Sequence, residues 1–235
     1  MSPWPWWTAS LVILIDFSLL IVSGLCFGFG FSAWPERPDP GAVAIIGKWS
    51  IVGRVFLYGC FFFYCRSIGV NRAKLGWTVD RAAGRAFLRC VAIGFPGFVL
   101  LCTAFVVIAR LTGNPAAIQA PISADTGFGW LVVFAGVLPF VEEPMYRGIV
   151  HPTMRAHMGS WGAIVAGGFL FGALHHVYGI ALHHCWGYAI AGMILAWIYE
   201  RTGSLVFPWL IHVTANAATF ALCRHPAFFE WLRGD

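Results

Sequence analysis

The sequence predicts an all-α, polytopic transmembrane helical protein of about seven spans, with a four-helix core toward its C-terminal end. Three observations carry that prediction. The 235 residues are 59% hydrophobic and only 11% charged, where a soluble domain holds about 25% charged residues. The mean hydropathy, +0.75, agrees. Apolar runs of about 20 residues, the length that crosses a bilayer as a helix, recur along the chain. Polar/apolar alternation is nowhere sustained over several segments, which argues against a transmembrane barrel.

The first run is 8–31. The stretch before it, MSPWPWW, has no basic n-region, so this run reads as a span with an aromatic interface anchor rather than a cleaved signal. A Pro-rich external loop, 32–41, leads to the second run, 43–65. Residues 66–89 follow as a loop that carries Arg66, Arg72, Lys74, Arg81, Arg85 and Arg89. Such a basic segment between apolar runs marks the cytoplasmic side and is attracted to anionic lipid heads. The third run is 90–110, and the Pro-containing segment 114–127 is again external. Runs 127–150, 160–179, 181–199 and 205–223 complete the set. With 66–89 inside, nine basic residues fall inside and five outside, and Arg54 is left within a span. The bias puts the N-terminus inside and the C-terminus outside. The chain therefore divides into N-terminal spans, 1–126, a membrane core, 127–223, and a short tail, 224–235. Its compact loops suit a multi-pass protein of a prokaryotic inner membrane.

The net charge of +5 does not indicate nucleic acid, because six basic residues lie in one loop and no basic face stands outside the membrane. The partners expected are the lipid bilayer and a membrane-associated protein or peptide. Seven cysteines, an odd number without a CxxC pair, read as small apolar packing residues. His175, His176, His183 and His184 form an HHxxxxxxHH pattern, read as loop histidines that need no metal. No cofactor is expected. Asp16, alone in the first run, is read as a helix-interface residue.

The chemistry lies in the later runs. An ionised side chain near a bilayer centre costs roughly 2.5–3.5 kcal/mol on insertion scales, yet the fourth span holds Glu142, Glu143 and Arg147. Glu143 and Arg147 are four apart and meet on one helix face. Glu142 is turned about 100° away and serves another surface. Pro144 removes a backbone donor and loosens the helix there. In the fifth span Phe171 and His175 share a face, beside a small-residue surface of Gly167, Gly168, Gly172 and Ala173. In the seventh, His212 and Asn216 are again four apart. Folding spans four and five back at residues 159–160 puts Glu142 and His175 at one depth, about 16 residues or roughly 24 Å from the bend. A glutamate beside a histidine can bind and deprotonate water, and a second histidine with an asparagine can stabilise an oxyanion. That is hydrolysis of an amide bond by activated water. Neither HExxH nor GxSG occurs.

These residues resemble the motifs of the CPBP family of CAAX proteases and bacteriocin-processing membrane proteins. EExxxR matches Glu142, Glu143 and Arg147, with Gly148 trailing. FxxxH matches Phe171 and His175, and HxxxN matches His212 and Asn216. The resemblance covers about residues 127–223. It implies a glutamate-dependent intramembrane endopeptidase. Glu142 would be the general base, with His175 holding the water. His212 and Asn216 would stabilise the oxyanion. Glu143 and Arg147 would be a structural ion pair, and Phe171 would shape the cavity. Eukaryotic relatives cut after a prenylated cysteine; a CAAX-like tail, a leader peptide or a C-terminal sorting signal are the substrate classes implied. Two other functions fit the same residues. One is a non-catalytic immunity or scaffold protein of this fold. The other is a proton-coupled transporter using Glu142 and the histidines.

Overall fold

The computed structural model describes residue 4 and residues 7–14, 40–94, 128–177 and 182–223. Every regular element among the described residues is helical. Residues 7–14 form α1. α2, Pro40–Ser67, runs 28 residues, roughly 42 Å at the helical rise. Residues 81–94 form α3. Next come α4, Phe128–Leu131, a π-helical segment, Val132–Val137, and α5, Leu138–Met145. A second π-helical segment, Tyr146–Val150, leads into α6, His151–Val177. α7, Leu182–Thr202, and α8, Val206–Cys223, follow.

The expected fold-back between spans four and five is present. α6 breaks at Gly159, whose φ of 72° and ψ of 175° are non-helical. Positive φ is open to glycine because it lacks a Cβ. The second half of α6 then packs along α7, the most extensive helix pairing among the described residues. Spans four to seven of the sequence reading thus correspond to α4–α8. Among the described residues one stretch, Val132–His175, is long and apolar enough to cross a membrane by length and composition, and it contains the Gly159 break.

The two π-helical segments have a sequence cause. Pro139 follows the first by two residues, and Pro152 follows the second by two. A proline offers no N–H to the carbonyl four residues back. The chain instead closes wider turns: Leu138 N–H donates to Val133 O, and His151 N–H donates to Tyr146 O. Gly148 O, which Pro152 cannot serve, accepts the indole N–H of Trp4 at 2.8 Å. Pro144, the proline expected to loosen this helix, lies inside α5 between the two widened segments.

Two expectations are corrected. Residues 81–89, read as loop, are helical, because Asp80 Oδ1 accepts the Ala83 N–H at 2.7 Å and caps α3. Arg81, Arg85 and Arg89 are exposed on that helix, while Phe87 stacks on Phe207 of α8 at 4.5 Å. Trp4, read as an interface anchor, is buried against Phe61 and tied to Gly148, whereas Trp7 is 44% exposed. Among the described cysteines, Cys65, Cys90 and Cys185 are buried and Cys60 is exposed, all as free thiols. Asp16, Cys26 and Cys102, residues 95–127 and the tail 224–235 lie outside the described residues.

Candidate active site

Glu143 is fully buried in α5. Its Oε1 accepts two hydrogen bonds, from Arg147 Nη1 at 3.1 Å and from His212 Nδ1 at 2.8 Å. The first is the i,i+4 pairing expected of these residues. The second reaches 69 residues ahead, into α8. Arg147 also donates through Nη2 to the Gly192 carbonyl of α7 at 3.3 Å, and its guanidinium lies 4.9 Å from the Phe171 ring centre. One buried carboxylate and one buried guanidinium therefore lace α5, the π segment after it, α6, α7 and α8 together.

Glu142, turned to the other surface as expected, is not left without a counter-charge. Arg54 of α2 donates through Nη1 to Glu142 Oε1 at 2.6 Å, with both side chains about as buried as Glu143. Glu142 Oε2 stands 3.8 Å from His212 Nε2. Sequence reasoning left Arg54 unassigned inside a span. An arginine inside an apolar run signals a polar partner or a reach to the headgroups. What the sequence could not show was which of these it takes.

His175 is held by its own helix: Nδ1 lies 2.7 Å from Phe171 O. A carbonyl only accepts, so the hydrogen-bond network assigns the proton to Nδ1 and the lone pair to Nε2. The ring stacks on Tyr188 of α7 at 3.9 Å and lies 4.7 Å from the Phe171 ring. Phe171 in turn faces His212 at 5.9 Å. Arg54, Arg147 and His212 all lie within electrostatic reach of His175. Phe171 is thus the hub on which both histidines and Arg147 pack.

This approach depends on the small residues of α6, but only on some of those foreseen. A Cβ on Gly172 would stand 2.7 Å from Cys185 O, and one on Gly192 would stand 2.9 Å from Phe171 Cβ. A Cβ on Gly168 would run into Met193. Gly167 faces open space and Ala173 is exposed. The close seam is therefore Gly168–Gly172 against Ala189–Gly192.

Asn216 lies one turn beyond His212 in α8, and its Nδ2 donates to Phe134 O in the first π-helical segment at 3.1 Å. The side chains of His176, His183 and His184 lie outside the described residues. Among the described residues no group of three or more His, Cys, Asp or Glu side chains is placed to hold a metal ion.

A second polar cluster, not foreseen, sits at the Gly159 end of the bundle. Glu200 Oε1 takes Ser160 Oγ at 2.6 Å and Arg155 Nε at 2.8 Å, while Oε2 takes His151 Nε2 at 3.0 Å. His151 packs edge-on against Tyr199. Burial raises the pKa of the Glu200 carboxyl, but the hydrogen bonds from Ser160 and His151 and the charge of Arg155 outweigh it and hold the group below its ordinary range.

Comparison with known proteins places this geometry in context. Residues 124–218 match the family model described as type II CAAX prenyl endopeptidase Rce1-like. The chain is also similar to YdiL of Bacillus subtilis (strain 168), which its name describes provisionally as a membrane peptidase. The two are 23% identical over 227 residues, covering 94% of this chain and 89% of that protein. No solved structure matches.

Proposed function

We propose that this chain, whose residues 124–218 match the Rce1-like CAAX endopeptidase family, is an intramembrane endopeptidase that cuts a membrane-associated protein or peptide with a glutamate-activated water. The family match supports a membrane peptidase. The observation that supports the water-activation mechanism is that Glu142 faces His212 while His212 and His175 both pack on Phe171.

In this reading Glu142 Oε2 takes a proton from water while the lone pair of His175 Nε2 accepts the water's other hydrogen. The hydroxide adds to the scissile carbonyl carbon, and the carbonyl electron pair moves to oxygen. His212 stabilises that oxyanion from Nε2. Its Nδ1 is committed to Glu143 Oε1, which orients the ring so that Nε2 faces the site. Asn216 adds its amide after leaving Phe134 O. Collapse of the intermediate breaks the C–N bond, and the proton gained by Glu142 passes to the leaving amine. A CAAX-like tail, a leader peptide and a C-terminal sorting signal are the substrate classes proposed.

The test compares peptide termini in membranes of cells carrying wild-type chain and Glu142→Gln chain at equal levels. New termini that vanish in the variant support the peptidase and identify its substrate. One observation favours a second reading: both glutamates are tied into ion pairs, as a non-catalytic scaffold of this fold would require. Identical termini, with the cellular phenotype intact in Glu142→Gln, would establish that reading in place of the first.

A further inference from the structure

We infer that the outward face of α3 is a binding surface for an anionic phospholipid. Arg81, Arg85 and Arg89 take the phosphate of its headgroup, and the apolar side chains beside and beyond them lie against its acyl chains. The inference does not depend on the peptidase reading. In a loop these arginines would be a diffuse charge; on α3 they are fixed in space.

The helix is anchored on one side only. Asp80 Oδ1 caps its first turn by accepting the Ala83 N–H at 2.7 Å. Ala83 and Cys90 are buried in a cluster with Ile198 of α7 and Phe207 of α8, and Phe87 packs on that cluster. The opposite side carries Arg81, Arg85 and Arg89, all exposed. At i, i+4 and i+8 they line one side of the helix over roughly 12 Å. Among the described residues none of the three forms an ion pair. Asp80 is the one acid in the segment 66–94, and its carboxylate is committed to the cap.

The change of character along that outward side selects the partner. It is basic as far as Arg89 and apolar beyond, with Leu88 66% exposed, Val91 40% and Ile93 72%. The sequence then stays free of charge through residue 109. A soluble acidic partner would meet the arginines and leave the apolar turn in water. A phospholipid answers both: its phosphate takes the guanidinium forks, and its acyl chains cover Leu88, Val91 and Ile93. A neighbouring element marks the same level. Trp197 of α7 packs on the cluster beneath α3, and the Arg201 guanidinium stands 6.0 Å from its ring centre. Tryptophan and arginine together are the side chains that anchor a helix where hydrocarbon gives way to headgroups.

The experiment is native mass spectrometry of the delipidated full-length chain in detergent, titrated with phosphatidylglycerol or with phosphatidylcholine of the same acyl chains. Wild type is expected to bind phosphatidylglycerol about tenfold more tightly or better, and Arg85→Gln/Arg89→Gln to lose most of that preference. Arg66→Gln/Arg72→Gln, which removes the same charge from exposed positions outside α3, is expected to keep it. Equal affinity of wild type for the two lipids overturns the inference. So does an equal loss in the two double variants, which would reduce the effect to net charge. Glycerophosphoglycerol, the same headgroup without acyl chains, is expected not to displace the lipid at matched concentration; displacement would reveal a phosphate site without a lipid component and overturn the assignment. Displacement by a soluble Glu-rich peptide at matched concentration would give the face to an acidic protein and overturn it equally. The wild-type titrations need no variant, so they decide even if a double variant fails to accumulate.

Discussion

His212 Nδ1 and Arg147 Nη1 share one oxygen, Glu143 Oε1, at 2.8 and 3.1 Å. A single atom thus joins α8 to the helix that carries both glutamates. Glu143→Gln removes the charge that compensates Arg147, and breaking one partner of a buried pair costs about 3–5 kcal/mol. The expected result is a clear drop in the thermal midpoint of the detergent-solubilised protein. His212→Gln, which retains a polar side chain beside Glu143, is expected to unfold much closer to wild type while its Glu142-dependent termini disappear. Equal midpoints for Glu143→Gln and wild type would remove Glu143 from its structural role.

Arg147 makes a forked contact, to Glu143 and to the Gly192 carbonyl, with its plane near Phe171. A lysine ammonium is a point charge and cannot reproduce that fork. Arg147→Lys is therefore expected to accumulate in membranes at a level between wild type and Arg147→Ala, measured by quantitative immunoblot. A lysine variant as abundant and as heat-resistant as wild type would show that charge alone suffices.

The seam between α6 and α7 permits a sharp comparison. Gly172→Ala drives a methyl against Cys185 O, a backbone atom that cannot rotate away, and Gly192→Ala drives one against Phe171 Cβ. Overpacking of this kind costs typically 1–3 kcal/mol. Gly167→Ala, which meets nothing within 4 Å, is the control. Thermal unfolding should lower the first two and leave the third at or above wild type.

The Glu200 cluster predicts a pH dependence. Its carboxyl is held below the ordinary range, so in acid the unfolded chain binds the proton first. The stabilisation is complete above the unfolded carboxyl's value and is lost as pH falls through the lower, folded value. The groups that contact it are His151, Arg155 and Ser160, with Tyr199 packed on His151. Wild type is expected to lose thermal stability on acidification more steeply than Glu200→Gln, with their difference greatest at neutral pH. Parallel curves would refute the assignment.

Helical character, the fold-back at 159–160 and the Glu143–Arg147 pair were all legible, because each follows from spacing within one helix or from a glycine at a bend. The same spacing placed Phe171 beneath His175. Contacts between distant segments were not legible. Nothing in the run 43–65 says that Arg54 faces Glu142 rather than lipid headgroups, and nothing in MSPWPWW says that Trp4 turns inward to Gly148. The widened helical turns had a readable cause in Pro139 and Pro152, whereas Pro144, nearer the glutamates, sits inside the regular turns of α5. Capping by Asp80 was equally local and equally readable, yet the density of arginines made residues 81–89 look like a solvated loop.

The Arg54–Glu142 pair spans 88 residues of chain. At about 5–20 residues per second of synthesis, Arg54 leaves the ribosome roughly 4–18 s before its partner. During that interval α2 carries its arginine without the Glu142 carboxylate it meets in the folded chain, and the long stem lets the guanidinium reach toward the headgroup level. The arrival of α5 brings that carboxylate. Each half of the chain is therefore an incomplete membrane resident until the other appears. Their union is a late event in the protein's own assembly, and a chain interrupted before residue 142 would lack the contact that ties α2 to α5.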